Sequence, residues 1–169
     1  MATPNLDHAR GELFESVYEP AEDSFLLLDA LEADMAAIHA LRPRIALEIG
    51  SGSGIAITFL GMNVARGSCA FFAVDINERA VAATRLTAEK NGVYVDVVCT
   101  DLLAGLDGLD GKVDVVLFNP PYVPTPDEEV GTRDLAAAWA GGERGRRVID
   151  RLIPEKMAVR PLFSRFFAF

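Results

Sequence analysis

Ile45-Ala46-Leu47-Glu48-Ile49-Gly50-Ser51-Gly52-Ser53-Gly54-Ile55-Ala56-Ile57-Thr58-Phe59-Leu60 decides the fold. A short apolar run broken by one acid reads as a strand, the glycines as a tight turn, and the second apolar run as the helix that follows. Glycine bends the backbone sharply and lets a ligand reach amides that a Cβ would shield, while a helix start presents unpaired N–H groups. The spacing is Gly-x-Gly-x-Gly rather than the dinucleotide Gly-x-Gly-x-x-Gly. No Lys-Ser or Lys-Thr closes it, so a nucleoside triphosphate is disfavoured.

Working outward, Cys69 to Val74 reads as a second strand ending in Asp75, twenty-five positions after Gly50. In a doubly wound sheet, a carboxylate there lies beside the glycine turn and accepts both hydroxyls of a ribose; the alternative is a loop acid. Asn77 is placed to cap a helix whose narrow apolar face is Ala80, Val81, Thr84 and Ala88, with Asn91-Gly92 as its stop. Val93 to Cys99 is a third strand rich in β-formers. At its end Asp101, followed by Leu102, is placed either to hold an adenine edge or to cap a turn. Ala104 to Gly111 reads as a glycine-rich loop, and Val113 to Phe118 as strand four.

That strand delivers Asn119-Pro120-Pro121-Tyr122. Two prolines fix two φ angles and remove two backbone donors, so the chain leaves the strand stiffly with carbonyls free to accept. Asn119 adds a side-chain carbonyl and amide, and Tyr122 a flat aromatic face. The combination suits a flat amide or amine, against the plainer reading of a strand stop.

Residues 1–16 are mixed and polar and are expected as a loose segment. Tyr18-Glu19-Pro20-Ala21-Glu22-Asp23-Ser24 opens a helix, with proline and acids where a first turn favours them. Phe25, Leu27, Leu28, Leu31, Met35 and Ile38 form its apolar face. Downstream, residues 123–133 read as a mobile loop over the site, Leu135 to Ala140 as a short helix containing Trp139, and Gly141-Gly142 as a break. A basic helix from Glu143 to Ile153 packs Val148, Leu152 and Ile149 inward, ended by Pro154.

With 169 residues, half of them apolar, the chain is long enough for one domain. The net charge of −9 disfavours a general phosphate-backbone binder, so no direct DNA binding is expected. Residues 141–169 carry seven Lys and Arg against three Asp and Glu, which leaves nine against twenty-two in residues 1–140. Cys69 and Cys99 lack metal-ligand spacing and read as buried hydrophobes in a reducing compartment. No apolar run approaches the ~18 residues that span a membrane, and no signal sequence opens the chain, so a cytoplasmic or nuclear location is expected. His8 and His39 lie outside the motifs and read as surface residues.

Five stretches in order, Tyr18 to Ser24, Glu48 to Gly54, Asp75-Ile76-Asn77, Asn119 to Tyr122 and Ala138-Trp139-Ala140-Gly141-Gly142, resemble the HemK family of class I S-adenosylmethionine-dependent methyltransferases. The likeness covers about residues 11–153 and is strongest to the eukaryotic branch, which methylates a glutamine in class I translation release factors and to which histone-lysine activity is also assigned. The resemblance implies an α/β, Rossmann-like parallel sheet flanked by helices, with S-adenosylmethionine as cofactor. Ser24, Glu48, Gly50 and Gly52 would serve its methionine end and the turn, Asp75 the ribose, Asp101 and Leu102 the adenine. Asn119, Pro120 and Tyr122 would form the catalytic clamp, Asn119 bridging cofactor and substrate. It also implies a heterodimer with a small zinc-binding activator covering the edge of the third strand, Val93 to Val98.

The chemistry suits an amide. A glutamine nitrogen is a poor nucleophile because its lone pair is delocalised; the Asn119 side-chain oxygen and Pro120 carbonyl would accept its two N–H bonds and orient that lone pair for in-line transfer. The family layout departs at the carboxyl end, where a fifth parallel strand and an antiparallel pair are due. Met157 to Phe169 carries a central proline and four phenylalanines without alternation, and does not read as that strand. The expectation is therefore a methyltransferase domain over 17–153, lacking its usual last strands, with a divergent tail over 154–169 from truncation or alternative splicing. The rival to an active enzyme is a non-catalytic isoform that binds only activator or cofactor; methylation of a small molecule or nucleic-acid amine is a third reading.

Overall fold

The computed structural model describes residues 1–9, 11–64, 67–157 and 165–168. Strands β1 (Ile45–Ile49), β2 (Ala70–Asp75), β3 (Asp96–Cys99), β4 (Val115–Phe118) and β5 (Arg165–Ala168) form one sheet in the order β3-β2-β1-β4-β5. Every pairing is parallel. Helices α1 (Glu22–Leu41), α2 (Ile55–Asn63) and α3 (Glu78–Lys90) pack on one face of it, and α4 (Arg147–Met157) with the loop after β3 covers the other. Both faces of β1 and β4 are thus filled, which is why their runs are apolar without alternation.

Local chemistry sets the boundaries. α1 buries Leu27, Leu28, Leu31, Met35 and Ile38, each contributing roughly 1.5–3 kcal/mol. Phe25, expected on the same face, is 47% exposed and borders a surface groove with Phe14 and Pro20. α1 stops where Arg42 turns left-handed at φ 52° and its N–H bonds the His39 carbonyl. The side chain of Asn77 caps α3, accepting from the Arg79 N–H at 2.9 Å. Asp114 anchors the start of β1, one carboxylate oxygen accepting the N–H groups of Arg44 (2.7 Å) and Ile45 (3.1 Å).

The tail differs from expectation. Arg165–Ala168 pairs in register with Val115–Phe118 as a fifth parallel strand. Alternation was the wrong test, because a parallel strand is normally enclosed on both faces and need not alternate. The antiparallel pair does not follow among the described residues, and residues 158–164, including Pro161, lie outside them. α4 begins at Arg147 rather than Glu143 and continues through Pro154 to Met157. A proline removes only its own helical donor, so the residues after it can still bond.

Cys99 is exposed and Cys69 half-buried, against the expectation that both are core. β3 is an edge strand on which only Val97 is buried, so its terminal side chain has no cover. The first residues, expected as loose, lie against α1 and α3. The amino terminus pairs with Glu32 at 2.7 Å, Asn5 and Asn91 exchange bonds of 2.7 and 3.0 Å, and the His8 ring meets Thr87 Oγ1 at 3.0 Å. His8 is therefore half-buried, whereas His39 is exposed as expected. Among the described residues, no helix is long and apolar enough to cross a membrane.

Gly54 shows how tightly α2 and α3 meet. At φ 77° a Cβ there would lie 2.7 Å from the Thr84 Cα, whereas at Gly111, φ 68°, it would meet nothing. Gly111→Ala therefore costs only the left-handed conformation, about 1 kcal/mol. Gly54→Ala adds overpacking against backbone, for a total of about 2–4 kcal/mol. Urea unfolding of the two variants measures the difference, and equal losses would show that the helices do not meet at Gly54.

Candidate cofactor and substrate site

The strand order reverses between β1 and β4, and the crevice this leaves at their carboxyl ends is where open α/β sheets bind ligands. Its floor is the glycine turn. The N–H groups of Gly50 and Ser51 both bond the Val74 carbonyl, at 2.8 and 3.1 Å, fastening the turn to β2. Gly50, Gly52 and Gly54 all take positive φ. Gly50 and Gly52 have open space where a Cβ would stand, while Gly54 abuts α3. Thr84 ties the turn from α3, its hydroxyl donating to Ser51 Oγ at 2.8 Å.

Four acids line the crevice, and the three singled out in the sequence, Glu48, Asp75 and Asp101, stand in different surroundings. Glu48 on β1 is buried and one carboxylate oxygen accepts the Ile57 N–H at 3.0 Å, in the first turn of α2. Burial pushes its carboxyl up to about 8, against the lowering effect of that bond and with a further rise from nearby Asp75. Asp75 accepts from Gly52 N–H and Asn77 N–H, one per oxygen, both at 2.9 Å. Burial raises its carboxyl as well, and these backbone bonds oppose the rise. The carboxylate keeps acceptor capacity for a ribose hydroxyl. Asp101 is exposed at the rim, where Arg151 of α4 donates to it at 2.6 Å. Leu102 follows with a left-handed φ of 51°.

Asn119 enters from the end of β4. Its Nδ2 donates to Asp23 Oδ2 at 2.8 Å, joining positions 96 residues apart. Its Oδ1 is buried without a partner, one of two such side-chain atoms among the described residues, the other being Thr58 Oγ1. Ser24, buried at the start of α1, receives the Ala21 N–H on its hydroxyl at 3.4 Å, so it serves the helix start as well as the crevice wall.

Ser24, Glu48, Gly50, Gly52, Asp75, Asp101, Leu102 and Asn119, all singled out in the sequence, converge on this one crevice. Pro120 and Tyr122 do not line it: Pro120 is buried and Tyr122 is 48% exposed beside it. The segment expected as a mobile loop is fastened to the turn before α4. Val123 bridges Ala140, the Thr125 N–H bonds the Gly142 carbonyl at 3.1 Å, and Arg147 pairs with Asp127. The short helix is a 3-10 turn, Leu135–Ala138, capped by Asp134.

Sequence reasoning missed Arg151 and Asp134, which also line the crevice, and saw Asp23 only as a helix-start acid. For Asp23 the signal was its place in a motif beside Ser24. For Arg151 none existed, because its position depends on how α4 lies over the sheet.

Residues 19–139 match the family described as the methyltransferase small domain. Methyltransferase HEMK2 of Mus musculus is 50% identical over 165 residues, covering 95% of this chain and 76% of that protein. The eRF1 methyltransferase catalytic subunit mtq2 of Schizosaccharomyces pombe is 38% identical, over 90% of this chain and 71% of its own. A release factor glutamine methyltransferase of Deinococcus radiodurans is 30% identical, over 90% and 57%. Among solved structures, human methyltransferase 10 domain containing protein shares the fold, with a TM-score of 0.57 and 16% identity over 88% of this chain and 64% of that one. An open glycine floor, paired strand-end carboxylates and an unpartnered buried acceptor fit a nucleoside carrying an amino-acid tail. The chain belongs to the methyltransferase small domain family, among relatives of the HemK kind, and is an S-adenosylmethionine-dependent methyltransferase.

Proposed function

We propose that this chain methylates the side-chain amide nitrogen of a glutamine in a class I translation release factor. The observation that carries this reading is the buried Asn119 Oδ1, which accepts nothing within the chain while its amide end is pinned. A primary amide supplies the missing N–H. Two named relatives, the fission-yeast eRF1 enzyme and the Deinococcus enzyme, act on release factors, which supports the same acceptor class.

In this reading S-adenosylmethionine, when bound, supplies an electrophilic methyl group on sulfur. Asp75 receives the ribose, Ser24 and Glu48 the methionine end, and Asp101 with Leu102 the adenine, once Arg151 shares or yields Asp101. Asn119 Oδ1 accepts one amide N–H and turns the nitrogen lone pair towards the methyl; the Pro120 carbonyl, which lies outside the crevice lining, is assigned the second N–H once the substrate is seated. Those acceptors strengthen as the nitrogen gains positive charge, so they favour the transition state over the ground state; the new N–C bond replaces the methyl–sulfur bond, whose electron pair stays on a neutral thioether, and the surplus amide proton leaves to solvent. Tyr122, on the rim, offers a face to the incoming peptide. The neutral amine of a deprotonated lysine would also donate an N–H to Oδ1 while keeping a lone pair for the methyl, making histone lysine the second acceptor to test.

The edge of the sheet fits the activator partner in the same reading. Beyond β3 no strand pairs among the described residues, Tyr94 is 79% exposed and Val98 40% exposed. Arg85 reaches over that edge to the Val97 carbonyl at 2.6 Å. An exposed edge of this kind calls for a cover, and we assign Val93 to Val98 to the small zinc-binding subunit. Such an enzyme works in the cytoplasm, where release factors act, or in the nucleus on histones. A non-catalytic isoform that binds only the activator or the cofactor is the rival.

Incubation of the chain with labelled cofactor, activator and release factor tests the proposal. Label is expected on a glutamine, and Asn119→Ala is expected to lower turnover by about 10²–10³-fold. Absence of label beside an active homologous enzyme, with the activator still bound, would establish the rival.

Glu48 provides an independent check. With its carboxyl near 8 it is protonated at pH 7 in the free chain, and contact with the ligand's ammonium lowers that value. Binding then releases a proton, so affinity rises with pH by up to about tenfold per unit below pH 8 and levels off above it. Calorimetry across pH 6 to 9 is expected to show this slope in the native chain and none in Glu48→Gln; a flat native profile would remove Glu48 from the methionine end.

A further inference from the structure

We propose that Asp23 is a positioning residue that fixes which end of the Asn119 amide faces the reacting nitrogen. The inference rests on the reading of Asn119 as the acceptor clamp. An asparagine amide has two ends of nearly equal shape, one that only accepts and one that only donates. Strand β4 places the group but does not choose between them. Asp23 does, because an ionised carboxylate accepts only: it draws Nδ2 to its Oδ2 at 2.8 Å and leaves Oδ1 as the end directed away from it, buried and unpartnered.

Asp23 is itself held. Its Oδ1 accepts the Ser24 N–H at 2.8 Å and the Tyr18 hydroxyl at 3.3 Å. It stands in the first turn of α1, where the helix dipole favours a negative charge. A chain Tyr18 to Asp23 to Asn119 thus links the start of α1 to the end of β4. Its consequence is a rule of acceptor choice: the site takes a nitrogen that still carries N–H, a primary amide or an amine, and disfavours groups that only accept.

Asp23→Asn tests this with almost no change of shape, since the new amide can accept or donate and no longer selects the Asn119 orientation. In the full chain, the Asn119 side-chain amide resonance, identified by its loss in Asn119→Gln, is expected to move in Asp23→Asn, as a carboxylate-bound amide becomes a neutral one. With a glutamine acceptor, kcat is expected to fall about ten- to a hundredfold, with cofactor affinity within about twofold of native. Tyr18→Phe, which leaves Asp23 charged but loosens it, is expected to show a smaller loss in the same direction and decides the matter if Asp23→Asn does not fold.

An unmoved Asn119 resonance, or an unchanged kcat in a protein where Asn119→Ala is inactive, overturns the role of Asp23 and leaves the clamp standing. Unchanged methylation in Asn119→Ala overturns both. If no acceptor is methylated at all, the resonance alone decides, so failure of the glutamine assignment remains distinguishable.

Discussion

The Val74 carbonyl, taking the N–H groups of both Gly50 and Ser51, is the contact on which the rest of the site depends. It pins the turn after β1 to the end of β2, and Asp75, the next residue, then reaches back to the Gly52 N–H. Strand end, turn and the start of α3 become one rigid piece, because the other oxygen of Asp75 holds the Asn77 N–H and Asn77 in turn caps α3. Positive φ at the glycines makes this doubling-back possible. The backbone is spent on itself, which leaves side chains and the remaining lone pairs to meet a ligand.

Electrostatics inside this piece run against the usual rule that acids sit in water. Glu48 and Asp75 face a single crevice from neighbouring strands, and both are shifted towards the neutral form by burial. A site of that kind is poorly solvated when empty and favours a cationic group, which a sulfonium bearing an ammonium provides. Asp101, at the exposed rim outside the enclosed zone, is instead paired with the guanidinium of Arg151 on α4.

The sheet and its floor were legible because glycine spacing, strand-end acids and the Asn-Pro-Pro-Tyr exit are local signals with local causes. Asn77 was found as a cap because capping needs only a neighbour two residues away. Signals failed where partners are distant. Asp23 meets Asn119 and Arg151 meets Asp101 across 96 and 50 residues, which no periodicity encodes. The exposure of Cys99 and Phe25 likewise follows from the limits of the layers rather than from residue type. The fifth strand was missed because alternation is informative only for a sheet with one wet face.

The placement of β1 also governs when the chain can fold. β1 lies between β2 and β4, and its first amides, at Arg44 and Ile45, are satisfied by Asp114, some 70 positions later. During synthesis the centre of the sheet is made early and must wait, with one edge bare, until residues 114–118 emerge. Pairings so far apart in sequence close slowly, because the loop entropy is lost before the contacts form. The acidity of residues 1–140, nine basic against twenty-two acidic side chains, is already present before that pairing is made, and like charges oppose association between copies.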